Sequence, residues 1–203
     1  YDKQVLVPGG EFFPLYEVLG PIYFRFGATP DWNHVPGNKP GIFTLTTTTR
    51  IGTTEQHKVG VLICYESVLP WVARQAVQNG AEFLVQPTSD SSFGRTAGPY
   101  QHLGIVITRA VENRRYIVRA AATGVSAVIR PGGLIGEGES LELDKVGILK
   151  GAITPLTERS LASRIGDLVA YLCAAGSLIA LLFPLREAGG GRVVKRRGKQ
   201  SSC

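Results

Sequence analysis

A chain of 203 residues accommodates one domain and an appendage. Its hydrophobic fraction of 44% supplies a sizeable core, and its net charge of +6 is concentrated in a tail where Arg186, Arg192, Lys195, Arg196, Arg197 and Lys199 face only Glu187. The nearly neutral body argues against a nucleic-acid-binding face, three distant cysteines make no disulfide framework, and His34, His57 and His102 lack metal-ligand spacing.

There is no N-terminal signal sequence and no Met at any position. The chain opens directly into Tyr1-Asp2-Lys3, so the natural N-terminus is expected upstream. Residues 1–15 suggest a short strand running into a Pro/Gly loop that carries Glu11. Residues 16–29 are amphipathic and aromatic, and allow a helix if Pro21 lies near one end. Residues 30–41 have loop chemistry. The five threonines of 42–50 favour a strand, and 52–57 a polar turn.

Val59-Gly60-Val61-Leu62-Ile63 is a short, β-branched run that suits a buried strand, and it ends at Cys64-Tyr65-Glu66. Helical spacing follows from Ser67 to Asn79, with Gly80 as a stop. A cysteine between a strand's end and a helix's start lies near unpaired helix N–H groups, which favour the thiolate. A buried structural cysteine is the alternative, and the stretch alone leaves both open.

Residues 82–86 form another short apolar strand, followed by the polar loop 87–94. Helical spacing resumes over 99–113. Residues 116–121 and 126–129 predict two strands joined by a turn at Thr123-Gly124, and 134–153 short strands and loops. This order indicates a layered α/β or α+β domain. Residues 165–185 differ: they are almost wholly apolar, bracketed by Arg164 and Arg186, and as long as a membrane-spanning helix. The cationic tail then places the C-terminus in the cytoplasm and the folded body outside it. The expected organisation is a catalytic domain over 1–160, a transmembrane helix over 165–185 and a basic cytoplasmic tail over 186–203.

Leu62-Ile63-Cys64-Tyr65-Glu66 after a strand resembles the nucleophile motif of the nitrilase (carbon–nitrogen hydrolase) superfamily, and Arg109-Ala110-Val111-Glu112-Asn113 resembles its helix after the active-site loop. Within that superfamily the chain is most similar to the apolipoprotein N-acyltransferase family. That likeness rests on Tyr1-Asp2-Lys3 with Leu6-Val7-Pro8 and Gly10-Glu11, on Pro99-Tyr100-Gln101-His102-Leu103, on Val118-Arg119-Ala120-Ala121 with 123–127, and on Arg164, Gly166 and Asp167 before the apolar segment. The resemblance implies an α+β fold, the C-terminal part of an αββα sandwich, on the outer face of the bacterial cytoplasmic membrane. It implies that Cys64 takes an acyl chain from a phospholipid as a thioester. The acyl chain then passes to the amino group of a diacylglyceryl-cysteine in an apolipoprotein. Lys3 would stabilise the oxyanion, with Glu11, Tyr65 and Glu66 supporting, and no cofactor, metal or nucleic acid is implied. Gly9, Ser89 and Ser92 depart from the family's Phe, Asn and Trp. The family's general-base glutamate and its preceding membrane helices fall upstream of residue 1, so the chain alone is expected to be inactive. The rival enzyme is a nitrilase-type amidase with water as acceptor; the rival non-enzyme is a membrane-anchored protein with Cys64 in its core.

Overall fold

The computed structural model describes residues 1–25, 34–48 and 52–187. They fall into two units, Tyr1–Arg164 and Ile165–Cys203. The basic tail from residue 188, Cys203 included, and the candidate helix end at 26–29 lie outside the described residues.

In the first unit a six-stranded mixed sheet runs in sequence order, β1 (Gly41–Thr48), β2 (Thr54–Val61), β3 (Phe83–Thr88), β4 (Ile117–Ala121), β5 (Ser126–Ile129) and β6 (Ile135–Leu141). The β2, β3 and β4 strands are parallel to one another, and the outer pairs are antiparallel. Parallel neighbours need long crossovers, and two helices supply them: α2 (Pro70–Gln78) between β2 and β3, and α3 (Gly98–Asn113) between β3 and β4. Val72, Ala73, Ala76 and Val77 form the buried stripe of α2, and Val106 and Ala110 that of α3. They meet Leu62, just past the end of β2, and Leu84, Ile117 and Ile129 from the sheet in one core cluster. Gly60 permits the closest approach: a Cβ there would lie 2.7 Å from Leu84 Cδ2 and 3.0 Å from the methyl of Ala76.

Several elements differ from expectation. Residues 1–14 make no strand; they carry turns and one isolated bridge, Pro8 to Phe12. Helix α1 (Tyr16–Arg25) forms with Pro21 in its interior rather than near an end. The supposed polar turn over 52–57 is mostly strand, because Thr54 to Lys58 pair with Thr44–Thr48 of β1 as a polar antiparallel ribbon. The helix expected from Ser67 starts later: Cys64–Val68 is a single 3-10 turn, and α2 begins at Pro70. Proline pre-sets the first helical position and disfavours helix in the residue before it, so Leu69 stays extended. Among the described residues there is one sheet, half of the expected sandwich.

The second unit contains α5 (Leu168–Glu187), which follows α4 (Leu161–Ile165) across Gly166 at φ +58°. Residues 168–181 are almost all apolar and all exposed. Among the described residues no helix is long and apolar enough to cross a membrane. The side chains of 182–187, which end the apolar run, lie outside the description.

Candidate active site

Three parallel strands pointing the same way deliver their C-terminal loops to one edge of the sheet, the usual place for a ligand crevice in such sheets. Here β2 delivers Cys64, β3 delivers Ser89 and Asp90, and β4 delivers Thr123 and Gly124. Leu62, fully buried, donates its N–H to the Val85 carbonyl at 2.9 Å and so anchors the chain two residues before the cysteine. Cys64 then adopts φ +50°, a left-handed conformation unusual for a residue with a side chain. Such a conformation costs about 1–2 kcal/mol and persists where surrounding contacts over-determine it. The restraint is visible: the Cys64 carbonyl accepts the Ser67 hydroxyl at 2.9 Å and Gln86 Nε2 at 3.3 Å. Cys64 is half-buried and lines a cavity of about 370 Å³ with Tyr65, Val68, Phe93, His102 and Ile105. Ser89 and Ser92 line it as well.

Glu66 is fully buried two residues on, and its carboxylate is saturated. Oε1 accepts the Tyr1 hydroxyl at 2.8 Å and the N–H groups of Gln4 at 2.6 Å and Val5 at 3.4 Å. Oε2 accepts the N–H of Ile63 at 2.7 Å. Glu66 therefore bolts the first residues of the chain to the cysteine turn. Burial first, then the hydrogen bond to Glu66 and its charge, push the Tyr1 phenol above its ordinary value.

Between Asp2 and Gln4, Lys3 directs its ammonium at Glu11, 2.7 Å from Oε1 and 2.6 Å from Oε2, and the Val7 N–H also donates to Oε2 at 2.8 Å. Neither Lys3 nor Glu11 lines the 370 Å³ cavity. Thus the structure joins Lys3 to Glu11 and Glu66 to the Lys3 segment, and places Cys64 and Tyr65 together in the cavity wall. Tyr65 also borders a second, largely apolar cavity of about 350 Å³ with Val5, Leu6, Pro8, Phe12 and Leu69. A 400 Å³ cavity beside Tyr1 and Phe43 is lined by no cysteine, so size does not decide the assignment.

For Glu11, burial pushes the carboxyl up, but the hydrogen bonds from Lys3 and Val7 and the charge of Lys3 outweigh it and hold it below its ordinary value. A lowered carboxyl contributes stability above its unfolded pKa and loses that contribution as pH falls through the folded value. Glu11→Gln is therefore expected to be less stable than wild type by a constant amount near neutrality. The difference should close below about pH 4, beneath the ordinary glutamate value. Paired urea titrations across pH check this.

The residues that sequence reasoning missed lie beneath the cysteine. His102 Nδ1 lies 2.8 Å from Asp90 Oδ1, and its Nε2 lies 3.0 Å from Ser67 Oγ. Arg119 donates to Asp90 Oδ2 at 2.5 Å, to Gln86 Oε1 at 2.6 Å and to the Val125 carbonyl at 3.0 Å. All five side chains are buried. Burial draws the Arg119 guanidinium down from its ordinary value, with Asp90 and then Cys64 opposing that pull. The available signal was the spacing of His102, Val106, Arg109, Ala110 and Asn113, which puts polar residues on the buried face of α3. A Cβ at Gly124 would collide with the Asp90 carboxylate. Gly124→Ala is expected to displace Asp90 and cost about 2 kcal/mol by overpacking, read as a lower urea midpoint.

Residues 12–155 match the carbon–nitrogen hydrolase family. The chain belongs to that family. As a carbon–nitrogen hydrolase, its nitrilase-like α+β fold with a mixed sheet agrees with the fold read from the sequence. It is 33% identical to an apolipoprotein N-acyltransferase of Geobacter metallireducens over 92% of this chain and 33% of that one. It is 34% identical to that of Caulobacter vibrioides over 85% of this chain and 30% of the other. An enzyme of the same name from Synechocystis sp. is 31% identical over 92% of this chain and 34% of its own. The chain thus spans about a third of the length of the curated relatives it matches. Among solved structures it is similar to an amidase from Nesterenkonia sp., 24% identical, with a TM-score of 0.40, covering 58% of this chain and 43% of that one.

Proposed function

We propose that this carbon–nitrogen hydrolase domain serves lipoprotein N-acylation, with Cys64 as the acyl-carrying nucleophile. The observation that carries the acyl-transfer reading over the amidase one is the likeness to enzymes named apolipoprotein N-acyltransferase across about nine-tenths of the chain. The geometry supports the nucleophile: one thiol, held in a strained conformation at the mouth of the parallel strands, with cavity walls of Val68, Phe93 and Ile105 beside it. A second apolar cavity across Tyr65 suits a hydrocarbon chain.

In the first half-reaction the Cys64 thiolate attacks the carbonyl carbon of a phospholipid ester. The C–S bond forms and the ester C–O bond breaks. The proton removed from the thiol goes, through a general base, to the departing lysophospholipid oxygen. In the second, the free amine of a diacylglyceryl-cysteine attacks the thioester, the C–S bond breaks, and the amine's proton returns through the base to the thiol. The Lys3 ammonium faces the tetrahedral oxyanion in both halves, as a compact charge that needs no proton transfer. Glu11 orients Lys3, and Glu66 fixes both to the nucleophile turn. Tyr65 closes the wall between the two cavities. The base is a glutamate other than Glu11, which pairs with Lys3, and Glu66, which is buried and accepts four donors.

The domain arrangement follows: 1–160 is the C-terminal part of an αββα catalytic domain outside the cytoplasm. Residues 165–185 are its membrane anchor in the cytoplasmic membrane, and 186–203 a basic cytoplasmic tail. The exposed, almost wholly apolar side chains of 168–181 in α5 support that anchor. N-acylation of a diacylated lipopeptide with phospholipid as donor, assayed with the full-length protein, tests the reading. Transfer of the acyl chain supports it; release of ammonia from small amides without transfer favours the amidase.

A further inference from the structure

The cavity beside Cys64 is sorted by depth. Val7, Val68 and Ile105 line it from half-buried positions, whereas Ser89, Ser92 and Gln101 line it from exposed ones. Gly98 brings the last two to one rim. A Cβ there would lie 2.8 Å from Phe93 Cβ, so the 3-10 turn Ser91–Phe93 packs against the first turn of α3, which carries Gln101. The Phe93 ring also meets His102 edge-on, with ring centroids 6.2 Å apart.

Hydrogen bonds on this rim are unevenly used. Ser89 donates to Ser91 Oγ at 3.2 Å and lies 3.5 Å from Thr123 Oγ1, and Thr96 donates to the Phe93 carbonyl at 2.8 Å. Among the described residues, the side chains of Ser92 and Gln101 make no hydrogen bond. A hydroxyl and a carboxamide, each both donor and acceptor, therefore stand free at the mouth.

The mouth is also unsuited to an anion. No Lys, Arg, Asp or Glu lines the cavity, and Arg95 of the same loop turns its guanidinium to Asp144 at 2.9 Å. Phosphate recognition relies on such cations or on free N–H groups at a helix N-terminus. Here the Gly98 N–H is taken by Thr96 Oγ1 at 3.1 Å, Pro99 has none, and the Gln101 N–H is taken by the Ala97 carbonyl at 2.9 Å. A peptide unit is neutral and presents one N–H and one C=O, which a carboxamide and a hydroxyl match.

We infer that Ser92 and Gln101 bind the first peptide unit of the lipoprotein acceptor, the amide joining the diacylglyceryl-cysteine to the next residue, and so hold its amine toward Cys64. The inference rests on the acyl-transfer reading above and adds to it the residues that select the acceptor.

The test pairs two variants with two acceptors in the full-length protein. One acceptor is a diacylglyceryl-cysteinyl dipeptide; the other is diacylglyceryl-cysteine methyl ester, which has no amide N–H. Ser92→Ala and Gln101→Ala remove exposed side chains with no partner, so urea midpoints are expected to stay at the wild-type value. Wild type is expected to favour the dipeptide by about tenfold in kcat/KM, mostly through KM. In Gln101→Ala this preference is expected to fall to about one, and in Ser92→Ala by about threefold, a coupling between side chain and peptide unit that a general loss of activity would not produce. An unchanged preference in Gln101→Ala overturns the inference. So does a loss that appears instead in the acylation of Cys64 by phospholipid, followed by mass with no acceptor present, because it assigns the rim to the donor's headgroup. A wild-type protein whose Cys64 takes no acyl chain from phospholipid overturns the acyl-transfer reading and this inference with it. Normal Cys64 acylation with no acceptor preference overturns this inference alone.

Discussion

Cys64→Ala in the full-length protein is expected to lower lipopeptide N-acylation by on the order of 10⁴-fold or more, as loss of a covalent nucleophile does elsewhere. It should do so with little effect on folding, because the side chain is half-buried while the main chain is held by Leu62, Ser67 and Gln86. Cys64→Gly separates strain from chemistry. Glycine adopts φ +50° without steric cost, so this variant is expected to be about 1 kcal/mol more stable than Cys64→Ala and equally inactive. Acylation rates and urea midpoints of the two variants check both halves. If Cys64 is only a core residue, acylation survives both substitutions.

The second large effect is expected at Glu66. Its carboxylate accepts four donors, three from residues 1–5, more than sixty residues away, and one from its own turn. Glu66→Ala leaves those N–H groups unpaired in a buried place, at a cost of about 3–5 kcal/mol. Glu66→Gln is no rescue, since its NH₂ end would confront N–H donors whichever way it turned. Both variants are expected to free residues 1–5, and with them Lys3, so that proteolysis within this segment accelerates and N-acylation falls together with stability. Tyr1→Phe removes one of the four bonds and is expected to cost only about 1 kcal/mol. A Glu66→Gln protein with wild-type stability and residues 1–5 still protected from proteolysis would contradict this role.

Much of the fold was legible because its signals are local. The stripes of α2 and α3 and the short apolar strands announce themselves by periodicity. The late start of α2 was legible too, in Pro70 and its effect on Leu69, but the apolar spacing from Ser67 outweighed it. By contrast, β2 begins among polar residues that make sense only opposite the threonines of β1. The first residues are held by a carboxylate sixty residues away rather than by a strand ladder, and no local pattern encodes that. The site divides the same way. Cys64 stands out where a strand runs into a turn, whereas Ser67, Gln86, Asp90, His102 and Arg119 come from four elements that only the parallel topology brings together.

The most direct test of Cys64 as an acyl carrier is the mass of its peptide after the full-length protein is incubated in membranes with phospholipid and no lipoprotein acceptor. The account predicts an added fatty acyl mass on the Cys64 peptide that hydroxylamine removes and a diacylated lipopeptide discharges. An unmodified Cys64 peptide in a preparation that N-acylates lipopeptide at its normal rate would contradict it.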